Sequence, residues 1–158
     1  MSREHLGIYL NNHLASSVLA VEILAHLEVE ASDFVQDLQA LKAEIEADRH
    51  QLITLMERFT ITESRVRKVT SWIVEQISEA KFEADDESKG TLHRLERLET
   101  LGIAIDGKLA LWRALQAAAE LAPELRGIDF EDLVQRAQAQ RNRVEVWRLQ
   151  AARSALLP

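Results

Sequence analysis

The sequence predicts an all-α fold, an up-and-down antiparallel bundle of long helices, and three observations lead to it. Hydrophobic residues make up 47% and charged residues 28% of the 158 positions, the balance of a chain that packs a core rather than one that stays disordered. Glycine occurs five times and proline twice, while Ala, Leu, Glu, Arg and Gln, all good helix formers, dominate. Apolar residues recur in alternating steps of four and three over long stretches, the spacing that lines up one face of a helix. The length suits a single domain spanning residues 1–158, large enough for a core without disulfides or a structural metal.

Five helical segments are expected in order. The first covers about Arg3 to Val29. The second is capped by Ser32 or Asp33, with Gln36 as a capping-box partner, and ends near Phe59. Thr62 caps a third that reaches about Phe82. The polar run Ala84-Asp85-Asp86-Glu87-Ser88-Lys89-Gly90 reads as a loop. Thr91 opens a fourth segment to about Leu121. Pro123 and Gly127 mark another loop, and Asp129 caps the last helix, which runs to about Leu156. Long helices with short connections favour antiparallel neighbours.

The second segment carries the cleanest seam: Phe34, Leu38, Leu41, Ile45, Asp48, Leu52, Leu55 and Phe59. Asp48 is its one non-apolar member. The first segment has a matching seam, Leu6, Leu10, His13, Ser17, Ala20, Leu24 and Leu27, whose most polar member is His13. If the chain reverses at residues 30 and 31, His13 lies level with Asp48. An unpaired charge in a core is very costly, so a His13–Asp48 hydrogen bond or ion pair is expected, joined by Arg49 or Glu99. On the fourth segment Leu98, Leu101, Ile105, Leu109 and Trp112 form an apolar stripe. A second stripe holds Leu92, Leu95, Glu99, Ile103, Asp106 and Ala110, with Gly102 beside it. The fifth aligns Phe130, Val134, Ala137, Arg141, Val144, Arg148, Ala151 and Ala155. Reversal near residue 125 puts Arg148 within reach of Glu99 or Asp106, with Arg141 as a second candidate for Asp106. The expected polar cluster is His13, Asp48, Glu99, Asp106 and Arg148. Gly102 and Gly107 each cost a helix about 1 kcal/mol relative to Ala, and close helix approach is the expected reason for both.

Several chemistries lack their residues. The chain has no cysteine, which removes disulfides, thiol catalysis and thiolate metal sites. Ser17, one turn from His13, sits mid-helix with no free backbone amides for an oxyanion hole, so no catalytic residue is assigned. No glycine-rich phosphate loop is present. The formal charge of −7, from 26 acids against 19 bases, argues against nucleic acid and anionic membrane as partners, despite Arg65, Arg67 and Lys68 and the arginines of the last segment. The apolar stretch Val18 to Leu27 contains Glu22 and His26, is too short to span a bilayer and is followed by no cleavage pattern, so a cytoplasmic location is expected. Trp72, Trp112 and Trp147 all fall on helices, at core or interface positions. A metal in the bundle centre would draw on His13, Asp48 and Glu99.

The order of long helices, with Tyr9-Leu10-Asn11-Asn12-His13-Leu14-Ala15 on the first and Glu44-Ile45-Glu46-Ala47-Asp48-Arg49 on the second, resembles the ferritin-like bundles. The stretch from Leu101 to Trp112 is similar to that of a group of small uncharacterised bacterial proteins with the same layout. The resemblance implies a ferritin-like four-helix core with an additional helix, and often iron or manganese binding with redox chemistry. The paired Glu-x-x-His ligands of that superfamily do not occur here, so no ligand residue carries over. The sequence reading is a non-catalytic bundle without a cofactor that self-associates as a homo-oligomer or binds a protein partner. A ferritin-like metalloprotein holding Fe or Mn in a reduced site is the alternative.

Overall fold

In the computed structural model, which describes residues 2–30, 34–63 and 87–156, the leucine-rich stretches fold as helices throughout. They are α1 (Arg3–Glu30), α2 (Val35–Arg58), α3 (Glu87–Ala118) and α4 (Phe130–Leu156), with a 3-10 turn at Pro123–Leu125 between the last two. The third segment expected from sequence, Trp72 and the Ser32 or Asp33 cap lie outside the described residues. Of the expected loop at 84–90, residues 84–86 lie outside the described residues. Glu87 to Gly90 already belong to α3, which starts four residues ahead of Thr91.

Helix ends follow local chemistry. Asp129 caps α4 by accepting the Asp132 amide on Oδ1 at 3.0 Å. At the end of α2, Thr60 adopts the left-handed region at φ 55°, and the Ile61 amide returns to the Met56 carbonyl at 2.9 Å. The Arg3 guanidinium reaches across from α1 and donates to the Phe59 carbonyl at 2.6 and 3.0 Å, satisfying an acceptor the helix leaves open. Gly127, at φ +78°, supplies the positive φ that turns the chain into α4.

Among the described residues two apolar clusters fill the interior. One joins Leu6, Leu10 and Leu14 of α1 to Leu52, Leu55 and Met56 of α2, Leu109, Trp112 and Leu115 of α3, and Phe130, Leu133 and Ala137 of α4. The other joins Ala20, Leu24 and Leu27 to Leu38, Leu41 and Ile45, then to Leu95, Leu98 and Leu101, and to Val144 and Ala151. The start of α1 therefore packs on the ends of α2 and α3 and on the start of α4. So α1 is antiparallel to both α2 and α3, and α3 is antiparallel to α4. α2 and α3 run in the same direction. Each cluster stops short of the middle of the bundle, and a polar layer lies between them.

The stripe on α3 is buried as expected: Leu98, Leu101, Ile105, Leu109 and Trp112 are all core. On α4 the buried face differs from the expected one. It is Phe130, Leu133, Ala137, Gln140, Val144 and Ala151, so Gln140 enters the core and Arg141 and Arg148 flank it. A guanidinium keeps its charged head near solvent, and a one-position rotation of the helix achieves this at the expense of burying an uncharged amide.

Candidate functional site: a buried polar layer and its cavity

Three of the four described helices each contribute one polar seam position to the middle layer. From α2 comes Asp48, only 2% exposed. From α3 comes Lys108, whose side chain is 13% exposed and whose Nζ lies 2.5 Å from Asp48 Oδ2. From α4 comes Gln140, fully buried. Its Nε2 donates to Asp48 Oδ2 at 3.2 Å and to Glu44 Oε2 at 3.1 Å, and its Oε1 accepts from Lys108 Nζ. Arg136, one turn earlier on α4, donates to Asp48 Oδ1, and Arg143 donates to Glu44. Asp48 thus accepts from three donors on two helices. Burying a carboxylate is tolerable only on such terms.

Titration follows the same geometry. Burial pushes the Lys108 ammonium below its usual range, and the adjacent Asp48 charge opposes that shift. Burial pushes Glu44 upward, but the hydrogen bonds from Arg143 and Gln140 outweigh it and hold Glu44 below the usual carboxylate range. Burial also lowers His13, which keeps its imidazole neutral at pH 7.

His13 does not bond Asp48. Its ring meets Tyr9 edge-on at 4.6 Å between centroids. His13 and Asp48 do lie at one level and line the same cavity, but Asp48 is fully engaged by α3 and α4, whose longer side chains reach the bundle axis first. The cavity offers about 20 Å³ to the centre of a water molecule and is lined by His13, Ser16 and Ser17, by Asp48 and Arg49, and by Lys108 and Trp112, with apolar residues between them. Ser17 donates its hydroxyl to the Leu14 carbonyl at 2.6 Å. Trp112 Nε1 and Arg49 Nε are buried without a hydrogen-bond partner among the described residues.

The remaining expected members form a separate structure. Glu99 and Asp106 are exposed on the flank of α3, where Arg148 donates to Glu99 at 3.2 Å and Arg141 to Asp106 at 3.0 Å. Glu145 links the two, accepting from Arg148 at 2.7 Å and from Arg141 at 3.0 Å. Those two hydrogen bonds, Arg148 first, hold Glu145 at about 2. Arg148 therefore pairs with Glu99 and not with Asp106, and the single expected cluster is two: a buried layer and a surface ladder. The trio His13, Asp48 and Glu99 is not brought together. Among the described residues no group of three or more His, Cys, Asp or Glu side chains could hold a metal ion.

Lys108, Gln140, Arg136, Glu44 and Arg143 were not anticipated as members of this layer, although Arg136 and Arg143 were expected to be solvated or paired with Glu, as Arg143 is. The signal for two of them was present. Leu98, Leu101, Ile105, Lys108, Trp112 and Leu115 continue the three-four step, as do Phe130, Leu133, Ala137, Gln140 and Val144. In each row a single polar residue interrupts the seam, as Asp48 does in its own. At Gly102 a Cβ would sit 3.4 Å from Arg141 Cζ, in contact with the guanidinium that lies across α3. At Gly107 a Cβ would meet nothing within 4 Å, so close approach does not account for that glycine.

Searches against protein-family models, curated proteins and solved structures return no match to this chain. Among the described residues no helix is long and apolar enough to cross a membrane.

Proposed function

We propose that this protein is a non-catalytic helical bundle that works by self-association, with the outer face of α3 and α4 as the contact between two copies. The observation that carries this reading is a row of exposed apolar side chains on that face: Val146 is 60% exposed, Leu149 46% and Leu156 66% on α4, with Ile103 71% exposed on α3. Asn142, Val146, Leu149, Arg153 and Leu156 repeat the four-three step on the side of α4 turned away from its core stripe, the pattern of a helix-pairing seam. Charge supports a second copy as the occupant. The chain carries −7 overall. On this face Glu99, Asp106 and Glu145 are matched by Arg141, Arg148 and Arg153, so two copies meet where their mutual repulsion is least.

The ferritin-like arrangement remains part of the proposal. It is supported by two antiparallel pairs, α1/α2 and α3/α4, with α2 and α3 running the same way, as in bundles with one long crossover. The metal that such a resemblance implies is not: the carboxylate best placed for it, Asp48, is occupied by Lys108, Arg136 and Gln140, and Glu99 lies on the outer face. No step is therefore assigned to a metal.

Sedimentation velocity across a concentration series tests the proposal. The expected result is a reversible dimer that becomes monomeric in Val146→Glu and Leu149→Glu with helicity unchanged. A wild-type chain that is monomeric throughout the series, or a dimer that survives both substitutions, overturns it.

A further inference from the structure

The cavity at the polar layer is lined by hydrogen-bond donors in excess. Trp112 is 1% exposed and its indole N–H has no partner among the described residues. Arg49 Nε is likewise buried and unpartnered. Lys108, on the same wall, has three N–H bonds, of which one goes to Asp48 and one to Gln140. All three groups donate and none accepts. The nearby acceptor Asp48 is already engaged on both oxygens. A water molecule placed here would take these donors, with the Ser16 and Ser17 hydroxyl oxygens and the neutral His13 ring as acceptors for its own hydrogens, whereas an anion needs no acceptor at all.

Charge points the same way. Lys108, Arg136 and Arg143 face Asp48, Glu44 and Asp132 in ion pairs, and Arg49 on the cavity adds a cation that none of these pairs balances. Among these described side chains cations outnumber anions by one. The cavity, about 20 Å³ as space for a water centre, exceeds the roughly 10–15 Å³ that one water requires and is far too small for a nucleotide or a sugar. Half-buried His13, Ser16 and Arg49 give it a side toward solvent.

We propose that this cavity is a binding site for a small monovalent inorganic anion of halide size, held by Trp112 Nε1–H, Arg49 Nε–H and the Lys108 ammonium. The anion completes the donors of the polar layer and balances Arg49. The site is independent of the dimer face, which lies on the other side of α3 and α4.

Chloride is the probe. Wild-type protein is melted in sodium gluconate, with chloride replacing gluconate at constant ionic strength, and the ³⁵Cl NMR linewidth is followed in parallel. The expected result is a saturable rise in Tm and a saturable line broadening. Both shift to about tenfold higher chloride in Trp112→Phe and in Arg49→Met, as the loss of one charge-assisted hydrogen bond predicts. If Trp112→Phe fails to fold, Arg49→Met carries the comparison. Equal Tm in the two salts with no broadening overturns the proposal, as does a chloride effect that both variants leave intact.

Discussion

Replacing Asp48 with leucine tests whether the polar layer is organised around that carboxylate. If Asp48 served only a neutral His13, Leu would be tolerated and even stabilising. The structure gives the opposite expectation, because the partner is Lys108, with a side chain only 13% exposed, and Arg136, 40% exposed. Arg136 can turn to solvent or to Asp132, 3.5 Å away, but Lys108 is held inside. Removing one member of a buried pair costs about 3–5 kcal/mol. Loss of the Lys108 proton limits the damage: folding with a neutral lysine at pH 7 costs about 4–5 kcal/mol relative to its unperturbed range. A destabilisation of about 3–5 kcal/mol is expected, a large part of the roughly 5–15 kcal/mol of a typical domain. Burial lowers the folded-state value for Lys108, so between that value and the unfolded one the unfolded chain binds more protons, and stability rises with pH there. Asp48→Leu widens that window downward, so its deficit shrinks as the solution is made alkaline. Urea unfolding followed by far-UV circular dichroism measures both effects, and Lys108→Met added to Asp48→Leu should recover most of the loss. A single variant within 1 kcal/mol of wild type, or a double variant no better than the single, would refute the reasoning.

Three other outcomes are expected. Gln140→Leu strands the groups that Gln140 serves, Glu44 and Asp48 as acceptors and Lys108 as donor, and should lower unfolding free energy by about 1–3 kcal/mol in the same urea assay. His13 is depressed by burial, so below the unfolded-state value the unfolded chain binds the extra proton and stability falls as pH drops through that window; His13→Gln should flatten the pH 5–7 limb of a Tm-against-pH curve, within the range where imidazole titrates. Gly107→Ala places a methyl in open space inside α3 and should stabilise by about 1 kcal/mol, whereas Gly102→Ala gains less because its Cβ meets Arg141 at 3.4 Å; paired thermal melts compare the two.

Sequence periodicity determined a good deal of this molecule. The leucine seams of the first two segments and the Leu98 to Trp112 stripe are core because apolar side chains at three-four spacing share one helix face whatever they pack against. Asp129 as a cap and the level of His13 with Asp48 follow from equally local rules, the chemistry of a helix start and the rise of a helix back from a turn. The choice of partner for a buried charge is not local. Asp48 and Lys108 are sixty positions apart, Asp48 and Gln140 ninety-two, and they meet only because α3 and α4 close the bundle opposite α2. Pairwise register placed His13 beside Asp48, but a carboxylate bonds whichever donor reaches the axis with the right length and charge, and a lysine and an arginine from the far helices do so before a half-buried imidazole. The rotation of α4 that buries Gln140 and turns Arg141 and Arg148 outward is likewise a tertiary outcome, since two readings of its faces differ by one residue and only the presence of Glu99, Asp106 and the Asp48 layer separates them.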